Sequence, residues 1–116
     1  MEISLQEQDG CLVISIDGRL DAITAPLLQS RFEEVLTPEK PRIIVDMAGV
    51  DYISSGGLRV LMIMTKEVRA MGGGIVLAQL HPFVEDILRM SGFHTLIPAA
   101  VTREEALKLL AEGEAP

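Results

Sequence analysis

The chain has 116 residues, 48% of them hydrophobic but only 3% aromatic, and a net charge of −7. That length suits one domain with a real core, and the hydrophobic fraction excludes a disordered chain. The acidic balance argues against a nucleic-acid binder, which needs cations to neutralise phosphates, and against docking on an anionic membrane surface.

Ile3 and Leu5 alternate with polar residues, the pattern of a half-exposed strand, and Asp9-Gly10 predicts a tight turn into an antiparallel partner. That partner, Cys11 to Ile16, places Leu12, Ile14 and Ile16 on one face and Val13 on the other, apolar enough to be covered on both sides. Asp21 to Thr24 forms the next connection. Thr24 is read as the cap of a helix with Pro26 in its first turn and Leu28, Phe32, Val35 and Leu36 on its inward stripe. Pro38 and Pro41 are expected to end this helix. Arg42 to Met47 is a continuous apolar run, as in a central strand of a mostly parallel sheet.

The stretch from Val50 to Leu61, VDYISSGGLRVL, follows that strand and carries the most functional information. Ser54 and Ser55 fall where a helix begins, with Leu58 to Val68 reading as its body. Serine oxygen caps free backbone N–H groups at such a place, and the same N–H groups and the helix dipole favour negative charge. Gly56 and Gly57 remove bulk beside the serines, which would let another molecule's backbone come close. At 100° per residue, Val60, Leu61, Met64, Val68 and Met71 share a core face, whereas Ser55, Arg59, Met62 and Lys66 share an outward stripe with Ile63 at its edge.

Gly72-Gly73-Gly74 leads into a buried strand, Ile75 to Ala78. Pro82 opens a helix with Phe83, Val84, Ile87 and Leu88 expected inward and Gly92 closing it. Leu96-Ile97 is the candidate last edge strand. Thr102 with Glu105 forms a capping box for a helix bearing Leu107, Leu109 and Leu110. The order predicts an α/β domain over 1–112, with a mixed, mostly parallel sheet of about four to five strands and about four helices, and a frayed tail at 113–116. In such sheets functional groups gather beyond the carboxyl ends of strands, so Asp21–Thr24 and Ser54–Gly57 are expected on one surface.

The chemistry of an enzyme is not apparent. His81 and His94 sit in no pattern that suggests a general base, and one cysteine with two scattered histidines makes no zinc site. The glycine triplet precedes a strand rather than a helix and has no following Lys-Ser/Thr, so it is no P-loop. Ile53, two residues before Ser55, breaks a G-x-S-x-G elbow. Cys11, flanked by Leu12 and Val13, is read as a buried structural thiol without a disulfide. No apolar run approaches the roughly 20 residues that span a bilayer. The opening MEISLQEQDG does not resemble a signal peptide, so a soluble cytoplasmic protein without cofactor or metal is expected.

DYISSGGLRVL resembles the signature loop of the STAS domain family, the bacterial anti-sigma factor antagonists, whose pattern is Asp or Ser, Ser, a small residue, then Gly-Leu. GRLDAITAPLL is similar to the family's G-x-L-D segment and first helix, IIVDMAGVDYI to its central strand, and GGGIVLAQLHPFVEDILRMSGF to its later strand and helix. The resemblance implies the STAS fold and a partner-switching cycle. The unmodified protein binds an anti-sigma factor that is also a serine kinase, the kinase phosphorylates a loop serine, and a serine phosphatase restores it.

Aligned on Gly57-Leu58, that serine falls on Ser55, with Ser54 as the second candidate because many relatives carry Asp there. Gly56 stands where many carry Ser or Thr, and Asp21 matches the loop aspartate after G-x-L. The implied partner surface comprises Asp21, Ala22, Ile23 and Thr24, the loop Ser54, Ser55, Gly56 and Gly57, and the stripe Arg59, Met62, Ile63 and Lys66. The alternative is a STAS module of another signalling or membrane transport complex, using the same surface without phosphorylation.

Overall fold

The computed structural model describes residues 1–36 and 40–111. Strand β1 (Glu2–Gln8) turns at Asp9-Gly10, both at positive φ, into the antiparallel strand β2 (Cys11–Asp17), as the Asp-Gly pair predicts. Helix α1 (Ala25–Val35), strand β3 (Arg42–Gly49), helix α2 (Ser55–Ala70), strand β4 (Gly74–Ala78), helix α3 (Pro82–Ser91), a short strand β5 (Ala99–Ala100) and helix α4 (Arg103–Ala111) follow. The five strands lie in the order β1-β2-β3-β4-β5, parallel from β2 onward, which is the mixed α/β sheet that the alternation predicts.

Sequential order has a consequence for the layers. Right-handed crossovers that all step the same way put their helices on one face. Accordingly α1, α2 and α3 bury Leu28, Phe32, Leu61, Met64, Val68, Val84 and Leu88 against Ile14, Ile16, Ile43, Val45, Ile75 and Leu77. The other face, carrying Cys11, Val13, Ile44 and Val76, is covered by α4 through Ala106 and Leu110. The period-two split of β2 therefore appears as two separate cores. Burial also pushes the Cys11 thiol above its ordinary pKa, as fits a structural cysteine.

One charged pair crosses the second layer. Asp46, 5% exposed on β3, accepts from Arg103 Nε and Nη2, both at 2.9 Å, from Gln79 Nε2 at 3.0 Å and from the Ala48 N–H at 3.0 Å. Arg103 also reaches Ser15 Oγ at 3.2 Å, so the start of α4 is fastened to β2, β3 and the end of β4. A buried carboxylate requires such compensation.

Four expectations are corrected. Leu96-Ile97 is no strand: a 3-10 turn over Phe93–Thr95 precedes it, and the edge strand is Ala99–Ala100, paired to Leu77 and Ala78. Phe83 points outward, 46% exposed, because Tyr52 offers its ring a partner at the surface. Met71 lies beyond α2 as its C-cap and is half-buried rather than core. Val35 and Leu36, expected on the inward stripe of α1, are only half-buried, although the helix does end ahead of Pro41, at Val35; Pro38 and the tail at 113–116 lie outside the described residues. Among the described residues, no helix is long and apolar enough to cross a membrane.

Candidate functional site

Two connections leave the carboxyl ends of β2 and β3 and are clipped together. Leu20 and Ile53 form an isolated parallel bridge, with Leu20 N–H donating to the Tyr52 carbonyl at 3.0 Å and Ser54 N–H to the Leu20 carbonyl at 2.9 Å. A methyl group on Gly57 would stand 2.7 Å from the Leu20 carbonyl oxygen and 2.9 Å from side-chain carbons of Leu20 and Ile53. One on Gly56 would stand 3.2 Å from Ala22 Cα. The glycines thus make room for this chain's own connection after β2. The two predicted loops do form one surface.

At the start of α2 the two serines divide their work. Ser54 is the N-cap, in extended conformation, and its oxygen accepts from Gly57 N–H at 3.4 Å. Ser55 is the first helical residue and is exposed. The N–H groups of a first turn have no acceptor within their own helix, so partial positive charge gathers beside Ser55. Arg59, one turn on, is exposed, and Lys66 further along the stripe is exposed as well. Met62 and Ile63 are half-buried rather than freely outward, and Met62 packs on the edge of the main core.

Asp21 organises the other connection. One carboxylate oxygen accepts from the N–H groups of Ile23 and Thr24, each at 3.0 Å, while the second lies 3.7 Å from Arg19 Nε. The expected cap is thereby displaced. Thr24 precedes α1 but makes no side-chain capping bond; its hydroxyl donates to the Arg19 carbonyl at 2.6 Å and accepts from Asp21 N–H at 2.9 Å. Thr24 has helical dihedrals, φ −86° and ψ −25°, rather than the extended conformation of a capping residue, so its oxygen faces back into the turn. Ala22 and Ile23 stand exposed on this turn.

These bonds determine how Asp21 titrates. The Thr24 N–H, then the Ile23 N–H, the Thr24 hydroxyl and the Arg19 charge favour the carboxylate over partial desolvation, so its pKa lies below the ordinary 3.8. A folded pKa below the unfolded one contributes stability that is present above 3.8 and lost as pH falls through the lowered value. In carboxyl-resolved NMR titrations, Asp21 is expected to titrate below 3.8, together with the amide shifts of Ile23 and Thr24. An Asp21 midpoint at or above 3.8 would refute the turn as described.

A feature the sequence reading missed lies beside these loops. The Arg19 guanidinium carbon sits 4.0 Å from the centroid of the Tyr52 ring, and that ring stacks on Phe83 with centroids 6.5 Å apart and planes inclined by 17°. His81, also without an expected role, caps α3 by accepting from Phe83 N–H at 3.2 Å through Nδ1.

Comparison with known proteins accords with this arrangement. Residues 2–106 match the STAS domain family model. A relative from Bordetella bronchiseptica, BtrV, provisionally named an anti-sigma factor antagonist, is 32% identical over 106 residues, covering 91% of each chain. A crystal structure from Thermotoga maritima, of a protein provisionally named likewise, superposes with a TM-score of 0.86 at 21% identity, over 94% of each chain. The Bacillus cell fate determinant SpoIIAA, solved in its phosphorylated form, shares the fold with a TM-score of 0.65 at 20% identity, over 92% of this chain and 97% of its own. The sheet order, the paired loops and the match over residues 2–106 place the chain in the STAS domain family.

Proposed function

We propose that this protein is an anti-sigma factor antagonist regulated by phosphorylation of Ser55. Unmodified, it binds an anti-sigma factor with serine kinase activity in the cytoplasm and so frees a sigma factor. The kinase transfers phosphate from ATP to Ser55, which releases the complex, and a serine phosphatase reverses the modification. The chain acts as a binding protein and supplies no catalytic group of its own.

The observation that carries this reading is the division of labour between the serines. Ser54 spends its oxygen on the cap, whereas Ser55 stands exposed at the positive end of α2, on the rim between the two clipped loops. Phosphate on Ser55 would leave the cap intact; phosphate on Ser54 would replace it. The name carried by BtrV and the phosphorylated form of SpoIIAA, which has the same fold, support the same role.

Incubation with ATP and purified host anti-sigma factor kinases, followed by peptide mass spectrometry, tests the reading. Phosphate is expected on Ser55, with Ser55→Ala abolishing incorporation while the fold persists. Phosphate confined to residues other than 54 and 55 would reject the assignment. Stable binding to a partner with no incorporation at all would instead favour a STAS module that is not phospho-regulated.

A further inference from the structure

The chain contains one Tyr, three Phe and no Trp, and it places Tyr52 and Phe83 at the surface. Tyr52 comes from the connection after β3, Phe83 from the first turn of α3 just after β4, and Arg19, stacked over Tyr52, from the connection after β2. Three successive strand ends thus contribute to one exposed row. It continues through the Arg19–Asp21 pair into the turn carrying Ile23, 82% exposed, and that turn abuts Gly56 at Ala22. The row therefore joins the Ser55 rim without a break.

The core has no use for this arrangement. Phe83 is 46% exposed, and the Arg19 side chain is 64% exposed. Rigid aromatic rings and arginine are enriched at the centres of protein interfaces, where they bury much area at little entropic cost. Here the stack fixes their orientation before any partner arrives, which lowers the ordering cost of association.

We infer that Arg19, Tyr52 and Phe83, adjoining the Ile23 turn of the Ser55 surface, form a second recognition patch for the anti-sigma factor that binds at Ser55, reading it through shape and stacking rather than through the phosphate. This rests on the proposed function for the identity of the occupant. The patch suits an apolar partner surface bearing an acceptor for Arg19, and it sets which anti-sigma factor is bound. Phosphorylation of Ser55 sets whether it is bound.

The test is the affinity of purified anti-sigma factor kinase for five forms of the full chain, by calorimetry without ATP. Tyr52→Ala combined with Phe83→Ala is expected to weaken binding at least about tenfold while leaving the far-ultraviolet circular dichroism unchanged. Arg19→Ala is expected to weaken binding as well. Met90→Asp, an 83% exposed residue two turns beyond Phe83 on α3, is expected to stay within about twofold of the parent. Patch variants that bind like the parent, while Ser55→Asp still weakens binding, would overturn the patch alone. A parent chain that binds no such kinase would overturn the proposed function and the patch with it. A Met90→Asp loss equal to that of the patch variants would also reject it, since binding would then follow general surface charge.

Discussion

Leu61→Asp is expected to unfold the domain, whereas Met62→Asp and Ile63→Asp leave it folded. Leu61 is 1% exposed, in the layer where α2 packs on the sheet. Truncating a buried Leu costs about 3–5 kcal/mol. An aspartate adds a carboxyl group to be desolvated, at several kcal/mol more. Total stabilities of about 5–15 kcal/mol leave little after such a loss. Met62 and Ile63, one and two residues on, are only half-buried, so their replacement forfeits part of one side chain's burial, about 1–2 kcal/mol. Thermal melts followed by circular dichroism should show no transition for Leu61→Asp and melting lowered by several degrees for the other two. Equal loss in all three would mean that α2 presents a different face to the sheet.

That facing was readable from periodicity because it depends only on residues near one another in sequence. The same holds for the Asp9-Gly10 turn, for the two faces of β2 and for Ser54-Ser55 at the start of α2. What escaped the reading depends on partners far apart in the chain. Phe83 has the spacing of a core residue beside Val84, Ile87 and Leu88, and only Tyr52, 31 positions earlier, explains its outward ring. Asp46 is passed over inside the run read as apolar, and its role is visible only when Arg103, 57 positions later, is folded against it. Thr24 is read as the cap of α1, yet its hydroxyl turns back to the Arg19 carbonyl and Asp21 organises the turn. The N–H groups of Ile23 and Thr24 converge on the Asp21 carboxylate, a contact that the spacing of apolar residues does not announce. The short apolar run Leu96-Ile97 had β propensity, but the 3-10 turn just before it moves the pairing to Ala99–Ala100.

Phosphorylated Ser55 is expected to leave the fold unchanged and still lower affinity for the anti-sigma factor by at least about tenfold, roughly 1.4 kcal/mol. A phosphate adds about −1.5 to −2 charges and three acceptor oxygens. At the first residue of α2 that charge meets the positive end of the helix, a contribution of up to about 1 kcal/mol in its favour. Arg59, one turn further and exposed, is available to pair with it. Of the aspartates on the two connections, Asp51 is exposed to screening solvent, and Asp21 has one oxygen committed to two N–H groups and the other facing Arg19, so its field is already partly compensated. Internal repulsion is therefore too small to unfold the loop, and the effect must fall on whatever lies against the rim. Melting temperatures of the two forms should agree within a few degrees, and Arg59→Ala should destabilise the phosphorylated form more than the unmodified one, by no more than about 1 kcal/mol for an exposed pair. Amide exchange discriminates the mechanism: protection over residues 51–71 is expected to be the same in both forms. Extensive loss of protection there on phosphorylation would mean that the switch works by refolding α2 instead of by occluding the interface.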